Sequence, residues 1–460
     1  MRKLFPEAPV FVVGEKGFDD TDDAGQKLDL LGRKPLGQKL TDLVDRIDQP
    51  LVIALDGGWG SGKSHFLKLW TGAHKKELSG KAEVIYFDAF EHDFLDDPLV
   101  SLVSRLTVAG AEKTWDTKAM AAVKRAALPL VKIVARVGLA VGTAGASEVA
   151  NALGDAAIGK LADVTDAGID QFWKAETNRI AAMQGFRKAL TDLTTPKTEG
   201  DPVCKIVFIV DELDRCRPDY ALSMLEIIKH FFAVPNVHFV LGVNLGELEN
   251  SVKARYGHEI DSHKYLQKFV SLTMTMPKGL GANPDVNASI TYFTKGLDAI
   301  AGSADLCALC ISTLTRPIIF QDVGLRDTQR LIAVIALLPR SLEKKLFGYK
   351  LLVVGALYLK VIHPLVYKRL RTGKAVFQDV AEALALEKPA TEQDLEDFHR
   401  NWGLWAYAFG ATREIEDSQL PAYYKEAIPS QFRSHCHGFR WVTAQQVMTD
   451  ALDAFELPSP

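Results

Sequence analysis

The chain has 460 residues, a formal net charge of -4, and 47% hydrophobic against 24% charged residues. That length admits two or three domains, since a domain commonly takes on the order of 100 to 200 residues, and the composition excludes both a disordered chain and one that is basic overall. Five cysteines (Cys204, Cys216, Cys307, Cys310, Cys436) with no hydrophobic leader ahead of them point to a reducing, cytoplasmic setting.

From the N-terminus, Leu36, Leu40, Leu43, Val44 and Ile47 recur at helical spacing, so Pro35 to Ile47 reads as an amphipathic helix packed beside the first core strand. Leu51 to Leu55 is a continuous apolar run. It ends in a glycine-rich turn, and a helical pattern through Phe66, Leu67, Leu69 and Trp70 follows. Val84 to Phe87, Lys205 to Val210 and Val237 to Val243 read as further strands, continuously apolar because helices cover both faces of a parallel sheet. The helical pattern Tyr220 to Phe232 lies between the last two. This alternation predicts an α/β fold, a doubly wound parallel sheet.

Over a hundred residues separate the second strand from the third, which predicts a helical insertion over 99–195 within a core made of 1–98 and 196–277. After Pro277 strand-like runs largely disappear, so 278–460 should be an α-helical domain. No apolar stretch reaches the roughly 20 residues of a membrane span. Val137 to Ser147 and Leu351 to Leu359 are too short, and Phe231 to Gly246 reads as a helix end plus a buried strand. In Leu128 to Ala146 basic residues alternate with apolar ones, which suits either peripheral contact with an anionic membrane or ordinary helix packing.

Gly57-Gly58-Trp59-Gly60-Ser61-Gly62-Lys63-Ser64 matches G-x-x-x-x-G-K-[ST], with a strand before it and a helix after it. Glycines let successive backbone N–H groups face phosphate oxygens, and the helix start adds a positive end. Lys63 is expected on the β and γ phosphates and Ser64 on Mg²⁺, with Trp59, Ser61 and His65 completing a cradle for ATP or GTP. Lys205 to Val210 runs into Asp211-Glu212. Such a strand should bring Asp211 beside the first strand to hold Mg²⁺ or its water shell, and Glu212 to deprotonate the attacking water. The plainer reading of Asp211 is a helix cap. Asn244 ends the next strand and is either a γ-phosphate sensor or a turn residue.

Arg215 and Arg326 are candidates to neutralise charge on the γ-phosphate, as arginines do in many oligomeric NTPases, or else pair with Asp214 and Asp327. Lys344 to Lys374 holds eight basic residues and no acidic one. The run either tracks nucleic-acid phosphates or lies on a solvated helix pair. Cys307 and Cys310, spaced C-x-x-C beside Leu306 and Leu309, read as core, and a zinc site shared with His435-Cys436-His437 is the remote alternative.

These landmarks resemble the KAP family of P-loop NTPases. The likeness extends over residues 25–345 and includes Asp29-Leu-Leu-Gly-Arg33, Gly58-Trp-Gly-Ser-Gly-Lys-Ser64, Asp88-Ala-Phe-Glu-His92, Asp211-Glu-Leu-Asp-Arg-Cys216, Tyr265-Leu-Gln-Lys-Phe269 and Leu325-Arg-Asp-Thr-Gln-Arg330. The resemblance implies an additional-strand NTPase with Glu212 as base, a helical lid containing Arg326, and nucleotide used as a conformational or assembly switch. The partners it implies are a second copy or an effector protein, in a setting such as bacterial defence against phage. Many members carry transmembrane helices between the two nucleotide motifs. Here that region is interrupted by Lys132 and Arg136.

Overall fold

The computed structural model describes residues 12–127, 166–195 and 203–430, apart from 23–24, 26, 96, 113–114, 278, 281–282, 300–303, 339, 388–393 and 419. Five strands, β1 (Leu51–Asp56), β2 (Glu83–Asp88), β3 (Ile206–Asp211), β4 (Val237–Val243) and β5 (Leu272–Thr275), form one sheet in the order β2-β3-β4-β1-β5. Every pairing is parallel. All residues of β3 and β4 are buried, as continuous apolar runs in the middle of a helix-covered sheet require.

The alternation of side chains along each strand splits the core in two. Val207, Ile209, Ile53, Leu55 and Val240 face the helices Lys34–Arg46 and Lys63–Lys76, whose Leu40, Val44, Phe66 and Trp70 are fully buried there. Phe208, Val210, Phe239 and Leu241 point to the other face. There Phe208 stacks on Phe239 at 5.0 Å between centroids, and Phe232 meets both edge-on. Truncating one of these rings would cost about 3–5 kcal/mol. Both ends of the long segment between β2 and β3 enter this second core, through Leu99, Leu102 and Leu106 of helix Pro98–Glu112 and Phe186 and Leu190 of helix Asp166–Thr194. Leu128 to Ala146, and with it the question of membrane contact, lies outside the described residues.

Two sequence expectations change. The strand carrying Asp211 does not lie beside β1, because β4 pairs with both and separates them. Strand order is decided by long-range pairing that no local pattern encodes. β5 was not anticipated either: its four residues are mostly exposed, so they lack the apolar run that marks the inner strands.

From Ala288 onward the described chain is helical around a third core. Leu351 to Leu359 is the interior of helix Phe347–Ile362, buried on all sides with Gly355 against Trp405. That helix also breaks the basic run. Lys344, Lys345 and Lys350 sit at its start and Lys360, Lys368, Arg369, Arg371 and Lys374 at or beyond its end, and 16 residues span about 24 Å. Arg369 is paired with Asp379 at 2.9 Å. Cys310 is buried in this core and the Cys307 thiol meets the Leu297 carbonyl, while His435 to His437 lie outside the described residues. Among the described residues no group of three or more His, Cys, Asp or Glu is placed to hold a metal ion, and no helix is long and apolar enough to cross a membrane.

Candidate functional site

β1 ends at Asp56, and the chain turns through Gly57 to Gly62 into helix Lys63–Lys76. Gly60 and Gly62 have φ of 80° and 84°, a backbone that residues with a Cβ seldom adopt. The Gly57 N–H donates to the Val243 carbonyl at 3.2 Å, which ties the loop to the end of β4. The Lys63 ammonium donates to the carbonyls of Gly57 and, at 3.2 Å, Gly58. Burial lowers its pKa, partly offset by Asp214, Asp211 and Asp56. A cation folded onto two loop carbonyls would gain by turning to phosphate oxygens.

The flank of the loop is held by a residue that motif reading alone did not assign a role. Arg33 is 5% exposed, and its Nη1 donates to the Ser61 carbonyl at 2.8 Å. Burial holds its pKa down to about 10. Asp29 accepts from the backbone N–H groups of Arg33 and Lys34 at 2.8 and 2.9 Å and so fixes where Arg33 begins its helix. His65 Nε2 lies 3.0 Å from the Leu28 carbonyl on this same flank.

Asp211 ends β3 and is 1% exposed. Its carboxylate accepts from the Tyr86 hydroxyl at 2.7 Å, from the Glu212 N–H at 3.0 Å and from the Ser64 side chain. Burial raises its pKa, and these donors oppose the rise. The sequence-predicted pair Ser64 and Asp211 is thus brought together across the intervening β4. An all-oxygen set of one hydroxyl and one carboxylate, with burial penalising the bare charge, fits a hard divalent cation such as Mg²⁺. Tyr86, which completes the set, was not singled out from the sequence. A tyrosine in an otherwise apolar strand two residues before Asp88 was the available signal.

Glu212 leaves the strand with φ 58°, an uncommon value for a residue with a side chain. Burial raises its pKa, Arg215 lowers it, and Asp88 and Asp211 raise it. Arg215 Nη1 lies 2.6 Å from Glu212 Oε2. Its partner is therefore Glu212 and not Asp214, which instead accepts from Trp59 Nε1 at 2.7 Å. Asn244 caps helix Leu245–Tyr256, accepting from the Gly246 N–H at 3.2 Å, and the Asp56 carboxylate accepts from the Leu245 N–H at 2.9 Å.

The helical domain reaches the same place. Helix Leu325–Ala336 starts against the phosphate loop, where a Cβ on Gly60 would meet the Arg326 Cβ at 2.7 Å and one on Gly62 would meet Leu325 Cδ1 at 3.5 Å. Arg326 is exposed at this contact. Asp327 is paired with Arg330 at 3.2 Å.

A family model described as the KAP family P-loop domain matches residues 33–341. Among curated proteins nothing matches the chain. A solved structure titled "Structure of the Aeropyrum Pernix ORC2 protein (ADPNP-ADP complexes)" is similar at 11% identity, over 91% of this chain and 94% of that one, with a TM-score of 0.29. At that score the likeness carries no argument. The family match spans the phosphate loop, the strand ending in Asp211-Glu212 and the first helices of the helical domain: the chain belongs to the KAP family of P-loop NTPases.

Proposed function

We propose that the protein hydrolyses ATP, or GTP, with Mg²⁺ and uses the bound nucleotide as a conformational or assembly switch. The observation that carries this reading is the convergence of Lys63, Ser64, Asp211 and Glu212 at the carboxyl end of one sheet, with the first turn of helix Leu325–Ala336 against the phosphate loop. Loop amides and Lys63 bind the β and γ phosphates. Ser64 and Asp211 would hold Mg²⁺, which supplies charge neutralisation on the phosphates when bound. Glu212 orients a water molecule and takes its proton as the new oxygen–phosphorus bond forms and the bond to the leaving diphosphate breaks. Arg326, at the loop, meets the charge on the γ-phosphate, and Asn244 senses that group at the end of β4.

The switch follows from the contact between loop and lid. Gly60 and Arg326 share a surface, so filling the loop changes what the helical domain rests on. The signal would pass to a second copy or to an effector protein. The biological setting we propose, bacterial defence against phage in the cytoplasm, is carried by the family resemblance alone.

Phosphate release tests the enzymatic part. Lys63→Ala should abolish nucleotide binding, whereas Glu212→Gln should bind ATP and lose most of the rate. A wild-type protein that binds ATP but releases no phosphate, so that Glu212→Gln has no rate to lower, would leave a binding scaffold without turnover. A mass measurement with and without ATP tests assembly, and equal phage sensitivity of cells carrying the wild-type and Lys63→Ala forms would remove the defence role.

A further inference from the structure

Two contacts join the phosphate loop to the proposed base. Trp59, between the loop glycines, is 51% exposed, yet its indole N–H is fixed on Asp214 at 2.7 Å. Asp214 is the middle residue of the short 3-10 turn Leu213–Arg215. The next residue, Arg215, grips Glu212 Oε2 at 2.6 Å, and its own N–H donates to the Glu212 carbonyl at 3.1 Å. The turn thus has the loop tryptophan on one side and the carboxylate on the other.

The charges around Glu212 show why a grip is needed. Asp88 from the end of β2 and Asp211 from the end of β3 repel it, and Arg215 and Lys68 of the phosphate-loop helix attract it. With two acids behind it, the carboxylate is held in one direction by the Arg215 guanidinium. On the other side, Lys63 must release the carbonyls of Gly57 and Gly58 to reach phosphate, so filling the loop removes two contacts made by its backbone. Gly58 precedes Trp59 directly, so the indole is attached to the part of the loop that changes.

We infer that Arg215 is a positioning residue for Glu212, and that Trp59 makes its grip respond to the state of the phosphate loop through Asp214. Arg215 acts on the carboxylate and makes no contact with the phosphates. This rests on the reading of Glu212 as the base, and the test separates the two.

The experiment measures steady-state phosphate release and nucleotide affinity for Arg215→Ala, Arg215→Lys and Trp59→Phe, each in the wild-type and Glu212→Gln backgrounds. Arg215→Ala should lower kcat about 10- to 100-fold with the affinities for ATP and ADP within about twofold, and Arg215→Lys should recover part of the loss. Trp59→Phe, which keeps an aromatic side chain but lacks the indole N–H, should lower kcat about 3- to 10-fold with little change in nucleotide affinity. In the Glu212→Gln background both effects should disappear, because residues acting through one carboxylate are not additive with its loss. If Arg215→Ala keeps its full effect there, or weakens ATP relative to ADP, Arg215 acts on phosphate and the inference is wrong. An unaffected kcat in Trp59→Phe overturns the link to the loop. If Glu212→Gln itself turns over at the wild-type rate, the base assignment fails first, a result distinct from the others.

Discussion

The Tyr86 hydroxyl donates to Asp211 Oδ2 at 2.7 Å, linking adjacent strands at the edge where the nucleotide would sit. Burial and the neighbouring acid raise the pKa of Tyr86, so the phenol stays a donor. It satisfies a carboxylate that has almost no contact with water.

Replacing Tyr86 by Phe should therefore destabilise the nucleotide-free protein by about 1–2 kcal/mol. A cation on Asp211 would supply what the hydroxyl no longer does, so ATP with Mg²⁺ should raise the melting temperature more in the variant than in the wild type. Thermal unfolding with and without ATP and Mg²⁺ checks this. Equal shifts would mean that Asp211 does not meet the metal.

Gly242 in β4 lies between Asp211 and Leu67. A Cβ built there would come within 2.3 Å of Asp211 Oδ1 and 2.7 Å of Leu67 Cδ1. Gly242→Ala should push the carboxylate out of place and overpack the strand, at a cost of about 1–3 kcal/mol. Phosphate release should fall by at least an order of magnitude while Lys63 and the loop remain intact. Wild-type activity in a folded Gly242→Ala protein would show that the carboxylate's position is not critical.

Gly242 also marks the limit of what the sequence reveals. Within Val237 to Val243 it reads as one more member of an apolar run, and only the paired register Asp211↔Gly242 gives it a reason. The phosphate loop and Asp211-Glu212 were legible because their chemistry is encoded by consecutive residues in a strand-to-turn context. The order of strands was not, since placing β4 between β1 and β3 depends on pairings between segments 187 residues apart, such as Ile53 with Val240. Tyr86, Trp59 with Asp214, and Arg33 with Ser61 belong to the same kind: each partner is ordinary locally and acquires a role only when the sheet assembles. The same holds for the two arginines. Arg326 reaches Gly60 only through packing of the helical domain on the loop, and Arg215 pairs with Glu212 three residues back and not with the neighbouring Asp214.

His238 in β4 gives a dependence on pH that is separate from the site. Its side chain is fully buried, and burial together with Lys205 holds its pKa down to about 4, although Asp48 and Asp45 oppose this. In the unfolded chain the imidazole takes a proton near pH 6.5. Between these values the unfolded state binds more protons, so acidification favours unfolding. The contribution is complete above about pH 6.5 and declines toward pH 4, by up to about 3 kcal/mol. His238→Leu should flatten this part of the stability curve, read from urea midpoints at each pH. A wild-type curve already flat from pH 6.5 to 4 would contradict the assignment.

Arg33 tests whether the flank of the loop contributes to binding. The guanidinium is buried, donates to the Ser61 carbonyl, and its Nη1 would lie 2.8 Å from a Cβ on Gly62, so it braces the turn at the two residues before Lys63. A lysine keeps the charge but presents a compact, strongly hydrated ammonium in place of a planar fork, and pays more for the same burial. Arg33→Lys and Arg33→Met should both weaken ATP about 10-fold, a loss of about 1.4 kcal/mol, since in each the loop must be ordered at the expense of binding energy. ADP should weaken equally, because Ser61 precedes the γ-phosphate contacts of Lys63 and the brace serves the whole cradle. Calorimetry of both nucleotides decides it: full rescue by lysine would reduce Arg33 to a point charge, and a loss confined to ATP would move its role from the shape of the loop to the terminal phosphate.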